Sequence, residues 1–223
     1  MKHEPLMTLP SDDAPWWATV DEYQRQLNGL LRARNWDAAE RLAMEFFERA
    51  GNAYEAAVYS RSRATILMHL GRQDAALEAD ALAERLVPVE PYFKINTAQL
   101  LIELGRPTEG LSKLAEAEAL MEPSARIGLL GDRAVALLAL GRDGEALECF
   151  RQIASPERLA HMRGWDYIGL VDFRLVDAFL KKRLAPDLCI AYLDAAEAIA
   201  ERHNSDRVSY VRGLLARARE AAA

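Results

Sequence analysis

Apolar and polar positions along this chain fall into one frame that is written three times. Ala64–Leu77 (ATILMHLGRQDAAL), Ala98–Leu111 (AQLLIELGRPTEGL) and Ala134–Leu147 (AVALLALGRDGEAL) share it. Each opens on alanine, places Leu three residues later, passes through Leu-Gly-Arg and closes on a small residue before Leu. The glycines Gly71, Gly105 and Gly141 stand 34 and 36 residues apart. A period near 34 residues marks stacked helical hairpins, because each hairpin needs a neighbour to bury its apolar face.

The spacing between these anchors predicts the helices. Val20, Tyr23, Leu27, Leu30 and Leu31 recur at helical intervals and predict a first helix over 16–34. A partner is expected over 37–50, ended by Gly51-Asn52. Helices near 53–70, 89–104 and 124–140 each stop at a Leu-Gly pair, where glycine accepts the left-handed conformation without a Cβ penalty. Their partners are expected near 73–87, 107–121 and 143–154, with Pro107 in an opening turn. Small residues sit seven before each glycine (Ala64, Ala98, Ala134) and five after it (Ala76, Gly110, Ala146). At those places they let antiparallel helices approach closely.

Beyond Ser155-Pro156 the frame loosens. Trp165, Ile168, Val171, Leu175 and Phe179 form one helical stripe, and 156–182 reads either as one long helix or as two pieces broken near Gly164. Leu184-Ala185-Pro186 interrupts the chain before a helix over 187–202, and Asn204-Ser205-Asp206 opens a last one reaching about Glu220. Its inward set is Val208, Val211, Leu214 and Leu215, as expected of a half-polar end cap. Residues 1–13, with Pro5 and Pro10, read as a flexible leader ahead of one domain over 14–221. Trp16 and Trp17 read either as the seal of the first hairpin or as an anchor for a partner.

Small residues seven before and five after a turn glycine, and twelve after it at Ala83 and Ala117 though not at Ile153, with Pro88 closing the first unit, resemble the tetratricopeptide repeat. The resemblance is carried by 57–88, 91–123 and 127–153. It implies an all-α, right-handed superhelix of about five antiparallel hairpins with a C-terminal capping helix. The pattern departs at the family's early aromatic, replaced by Ser60, Lys94 and Leu130, and at its second-helix aromatic, which is Asp80, Leu114 and Phe150 here. Projecting the family's concave register onto the chain selects Gln24, Asn28, Arg61, Thr65, Tyr92, Asn96 and Gln99 as a peptide-binding groove. Amide and guanidinium groups with one aromatic suit an extended peptide, whose backbone both donates and accepts. The same seven residues also read as an ordinary solvated surface. The family's C-terminal carboxylate clamp uses lysines, asparagines and an arginine. Asn28 fits it, but Gln24 and Tyr92 stand in the lysine places and Asn96 in the arginine place, so that clamp lacks its charges.

Composition narrows the chemistry. The formal net charge is -6, and residues 1–150 carry 16 Lys and Arg against 24 Asp and Glu. That balance argues against nucleic acid, whose phosphates call for a basic footprint. Cys149 and Cys189, far apart on apolar stretches, read as reduced core thiols of a cytoplasmic protein, and no apolar run is long enough to span a membrane. The four histidines, His3, His69, His161 and His203, show no metal-ligand spacing, and no serine has a nucleophile-elbow context. No enzyme activity, cofactor or metal is expected. The expected function is a protein- or peptide-binding adaptor; the alternative is a regulatory sensor that takes a small ligand or signal peptide in the same groove.

Overall fold

The computed structural model describes residues 16–164, 171–203, 205 and 207–223. The expected leader, together with Trp165 and Ile168, lies outside the described residues, as do the side chains of Trp16 and Trp17. Among the described residues the secondary structure is all helical: twelve α-helices and one 3-10 turn. They belong to two compact units that meet in sequence at Met121 and Glu122.

The first unit holds α1 (Trp16–Arg32), α2 (Trp36–Glu48), α3 (Ala53–His69), α4 (Gln73–Leu86), α5 (Pro91–Glu103) and α6 (Pro107–Glu118). Each helix packs on the next, and α3 also touches α1 and α5, so the first helices of successive hairpins form a row. Local chemistry starts these helices where the sequence places a cap. Asn52 Oδ1 accepts from the Glu55 amide at 2.9 Å, while the Glu55 carboxylate accepts from the Gly51 amide at 2.9 Å, a reciprocal box at the start of α3. The Glu90 side chain does the same service for α5, accepting from the Tyr92 amide with Pro91 in the first turn.

The repeat shows itself most directly at the corners. Gly71, Gly105 and Gly141 have φ of 73°, 74° and 74°. Each is followed by an arginine whose amide reaches back five residues to a leucine carbonyl: Arg72 to Leu67, Arg106 to Leu101 and Arg142 to Leu137, all 2.9 Å. The same closure occurs where no glycine stands. Arg34 (φ 53°) precedes Asn35, whose amide donates to Leu30 O at 3.0 Å, and Arg183 (φ 53°) precedes Leu184, whose amide donates to Phe179 O at 3.0 Å. Five corners therefore share one geometry, two of them at the cost of a left-handed side-chain-bearing residue.

Small residues occupy the expected contact places. Ala64, Ala76, Ala83, Ala98 and Ala117 are all fully buried. At Gly110 an added Cβ would lie 2.6 Å from Ile102 Cγ1, so this hairpin closes too tightly even for alanine. The core between the first two hairpins is aromatic: Tyr23 packs on Tyr59 and on Phe46 with ring centroids 4.7 and 5.3 Å apart.

The second unit begins with a 3-10 turn, Arg126–Leu129, so the helix expected over 124–140 becomes α-helical only from α7 (Leu130–Ala139). Then come α8 (Asp143–Ile153), α9 (Pro156–Met162), α10 (Phe173–Lys181), α11 (Pro186–Arg202) and α12 (Val208–Ala222). The two-piece alternative for 156–182 holds. The helix ends in a turn at Arg163-Gly164, and Asp172 starts α10 by accepting from the Arg174 and Leu175 amides. Val171 is buried but precedes α10, so the expected stripe does not continue through it as one helix face; among the described residues, Leu175 and Phe179 are its buried helical part. Cys149 and Cys189 are buried free thiols. On α12, Val211, Leu214 and Leu215 face inward and Val208 is half-buried, while Arg212 and Arg217 pair with Glu197 and Asp177 at its surface.

Candidate functional site

Four of the seven residues expected in a groove converge within the first unit. Arg61 and Thr65 from α3 and Asn96 and Gln99 from α5 line one cavity of about 390 Å³. Their spacing explains it: 61 and 65 are one turn apart on α3, as are 96 and 99 on α5, and the two helices are neighbours in the row. Tyr92 sits at the N-terminal end of α5, 45% exposed, with the Arg61 guanidinium 5.8 Å from its ring centroid. Gln24, half-buried, and Asn28, exposed, lie one turn apart on α1 and do not line this cavity.

Asn96 is less free than a groove residue on a wet surface. It is 6% exposed, and its Nδ2 donates to the Tyr92 carbonyl at 2.7 Å. The amide orientation this requires turns its Oδ1, an acceptor, toward other partners.

Three further polar residues enter the cavity wall: His69 at the end of α3, Asp80 on α4 and Glu103 at the end of α5. His69 stacks on Trp36 with ring centroids 4.1 Å apart, which gives it a structural reason to stand at the helix end. Asp80 has no such reason. It occupies the place of the second helix that Leu114 and Phe150 fill, fully buried, in the following repeats, yet it is a carboxylic acid only 4% exposed. Burial pushes its pKa up to about 7, and Glu84 on the same helix adds to the rise, while Arg61 opposes both. The sequence signal was an acid at an apolar repeat position; by itself it marked only a departure from the pattern.

Glu84 belongs to a separate ion cluster. Its Oε2 accepts from Lys113 Nζ at 3.0 Å and lies 3.6 Å from Lys94 Nζ, while its Oε1 is buried without a hydrogen-bond partner. Lys94 thus ties the second hairpin to the third.

Two other cavities are smaller. One of about 270 Å³ lies between α2, α3 and α4 around Met44, Phe47 and Tyr59. In the second unit one of about 210 Å³ is lined by Arg158, His161, Asp172 and Tyr192. Among the described residues no group of three or more His, Cys, Asp or Glu is placed to hold a metal ion. No described helix is long and apolar enough to cross a membrane.

No family model matches the chain. Curated proteins similar to it are co-chaperone protein HscB homologs, among them those of Burkholderia mallei strain SAVP1, Burkholderia pseudomallei strain 668 and Burkholderia thailandensis. Each is 29% identical over 167 residues, which span 71% of this chain and 89% of the relative.

Proposed function

We propose that this chain is an adaptor that binds a protein through an extended segment laid along the row α1, α3 and α5. The observation that carries the proposal is the cavity in which Arg61, Thr65, Asn96 and Gln99 meet. Rigid helices hold these groups, so binding would order few side chains and cost little conformational entropy. The shared corner geometry at Arg34, Gly71, Gly105, Gly141 and Arg183 supports reading the individual hairpins as tetratricopeptide-like units. The relatives named as co-chaperones support a role exercised through another protein.

Affinity capture from native lysate, with wild type and Thr65→Trp side by side, tests the site. Thr65 is exposed on the cavity wall, so tryptophan there fills the space without entering the core. A partner recovered by wild type and depleted at least tenfold by the variant is expected. Undiminished capture places the binding surface elsewhere.

The cavity volume also falls in the range of small-molecule sites, which favours the alternative of a ligand sensor. Stabilisation of the isolated chain by a metabolite fraction, with no protein partner present, would select that alternative.

A further inference from the structure

From the cavity between α3, α4 and α5 we infer that the bound segment presents a lysine or arginine side chain, whose cation docks against Asp80 with its stem along Ala64 and Leu100. This rests on the groove proposed above and specifies its ligand chemistry.

The charges choose the sign. Asp80 and Glu103 contribute two carboxyl groups to the wall against the single guanidinium of Arg61. Glu84 lies close enough behind to raise Asp80 further. Asn96 spends one of its two Nδ2 hydrogens on Tyr92 O and keeps Oδ1 as an acceptor that a cation can use. An anion would find one cation and would face these oxygens. An ammonium or guanidinium head meets acceptors, and the apolar part of the wall suits a methylene stem. Residues 1–121 hold 13 Lys and Arg against 19 Asp and Glu, while 122–223 hold 15 of each, so the chain's negative charge resides in the unit that carries the cavity.

Asp80 is also placed where folding alone does not want it. Leu114 and Phe150 fill the equivalent place apolarly, and Arg61, drawn toward the Tyr92 ring, does not hold Asp80 in the ordinary carboxylate range. A second cation would complete the ionisation. Binding therefore releases a proton at neutral pH, and affinity rises as pH climbs through the neighbourhood of 7. The charged and titratable groups around Asp80 are Arg61 and His69 on α3, Glu84 on α4 and Glu103 on α5.

The test uses the ¹⁵N-labelled full chain and capped nine-residue Gly-Ser peptides whose central residue is Lys, Arg, Gln, Leu or Glu. Binding is followed at the Asn96 and Gln99 side-chain amides. Lys and Arg peptides are expected to bind at least fivefold tighter than the other three, and more tightly at pH 8 than at pH 6. Asp80→Asn should erase both the preference and its pH dependence while keeping the cooperative melt. His69→Gln should retain both, which separates Asp80 from the imidazole on the same wall. Equal affinities for all five peptides, or a preference for Glu, overturn the inference. If such unselective binding is still blocked by Thr65→Trp, the groove stands and only its ligand chemistry falls. Binding indifferent to Thr65→Trp, or none at millimolar peptide, overturns the inference, and capture of the native partner then judges the groove separately.

Discussion

At the scale of single residues, Asp80 is where folding and function pull apart. A carboxyl at a buried apolar position destabilises the fold whenever it ionises. Its folded pKa of about 7 stands above the ordinary 3.8, so its protonated form favours folding at low pH. That advantage is complete below the ordinary value and is lost as pH rises from there through 7. Asp80→Asn removes the titration. Relative to wild type, the variant should gain stability between pH 4 and pH 8, by up to about 4 kcal/mol at ~1.36 kcal/mol per unit. Urea unfolding at the two pH values measures it, and a pH-independent difference would show that Asp80 is solvated. The acid was legible in the sequence only as a missing aromatic. Its burial beside Arg61 depends on how α3 and α4 meet, which the position of one residue in the chain does not carry.

At the scale of helices, the hairpins close because small residues face each other at fixed distances from the corner. Ala98 is fully buried, and its carbonyl lies 3.1 Å from where a Gly110 side chain would begin. Ala98→Leu has no space to fill there and should cost roughly 1–3 kcal/mol, read as a lowered Tm. An unchanged Tm would mean that the hairpin opens without penalty. The corners explain why three repeats were plain in the sequence and two were not. Gly71, Gly105 and Gly141 announce a left-handed residue, whereas Arg34 and Arg183 adopt the same φ region with a side chain in place. A glycine signals the geometry, but the hydrogen bonds from Asn35 to Leu30 and from Leu184 to Phe179 impose it without one. The starts of α3 and α9 were legible for the same local reason, since Asn52 and Ser155 cap within a few residues of themselves, whereas the start of α10 at Asp172 was not read from the chain.

At the scale of the whole molecule, the charge distribution sets how a basic segment would arrive. With the net charge of -6 carried by residues 1–121, association of the Lys peptide should be steered electrostatically. Raising ionic strength from ~0.05 to ~0.5 M should weaken it several-fold, while the Leu peptide stays within about twofold. Titrations at the two salt concentrations decide this, and equal weakening of both peptides would deny the steering. The sequence by itself determined that the chain is helical, where its hairpins turn and which small residues face their partners. Those features follow from neighbours within a few residues and from a period that the chain repeats. Tertiary structure decided that Arg61, Thr65, Asn96 and Gln99 share a cavity, that Gln24 and Asn28 stand apart from it, and that Asp80 is buried in its wall. Burial and cavities belong to surfaces brought together from separate helices, and periodicity names the faces without saying what space is left between them.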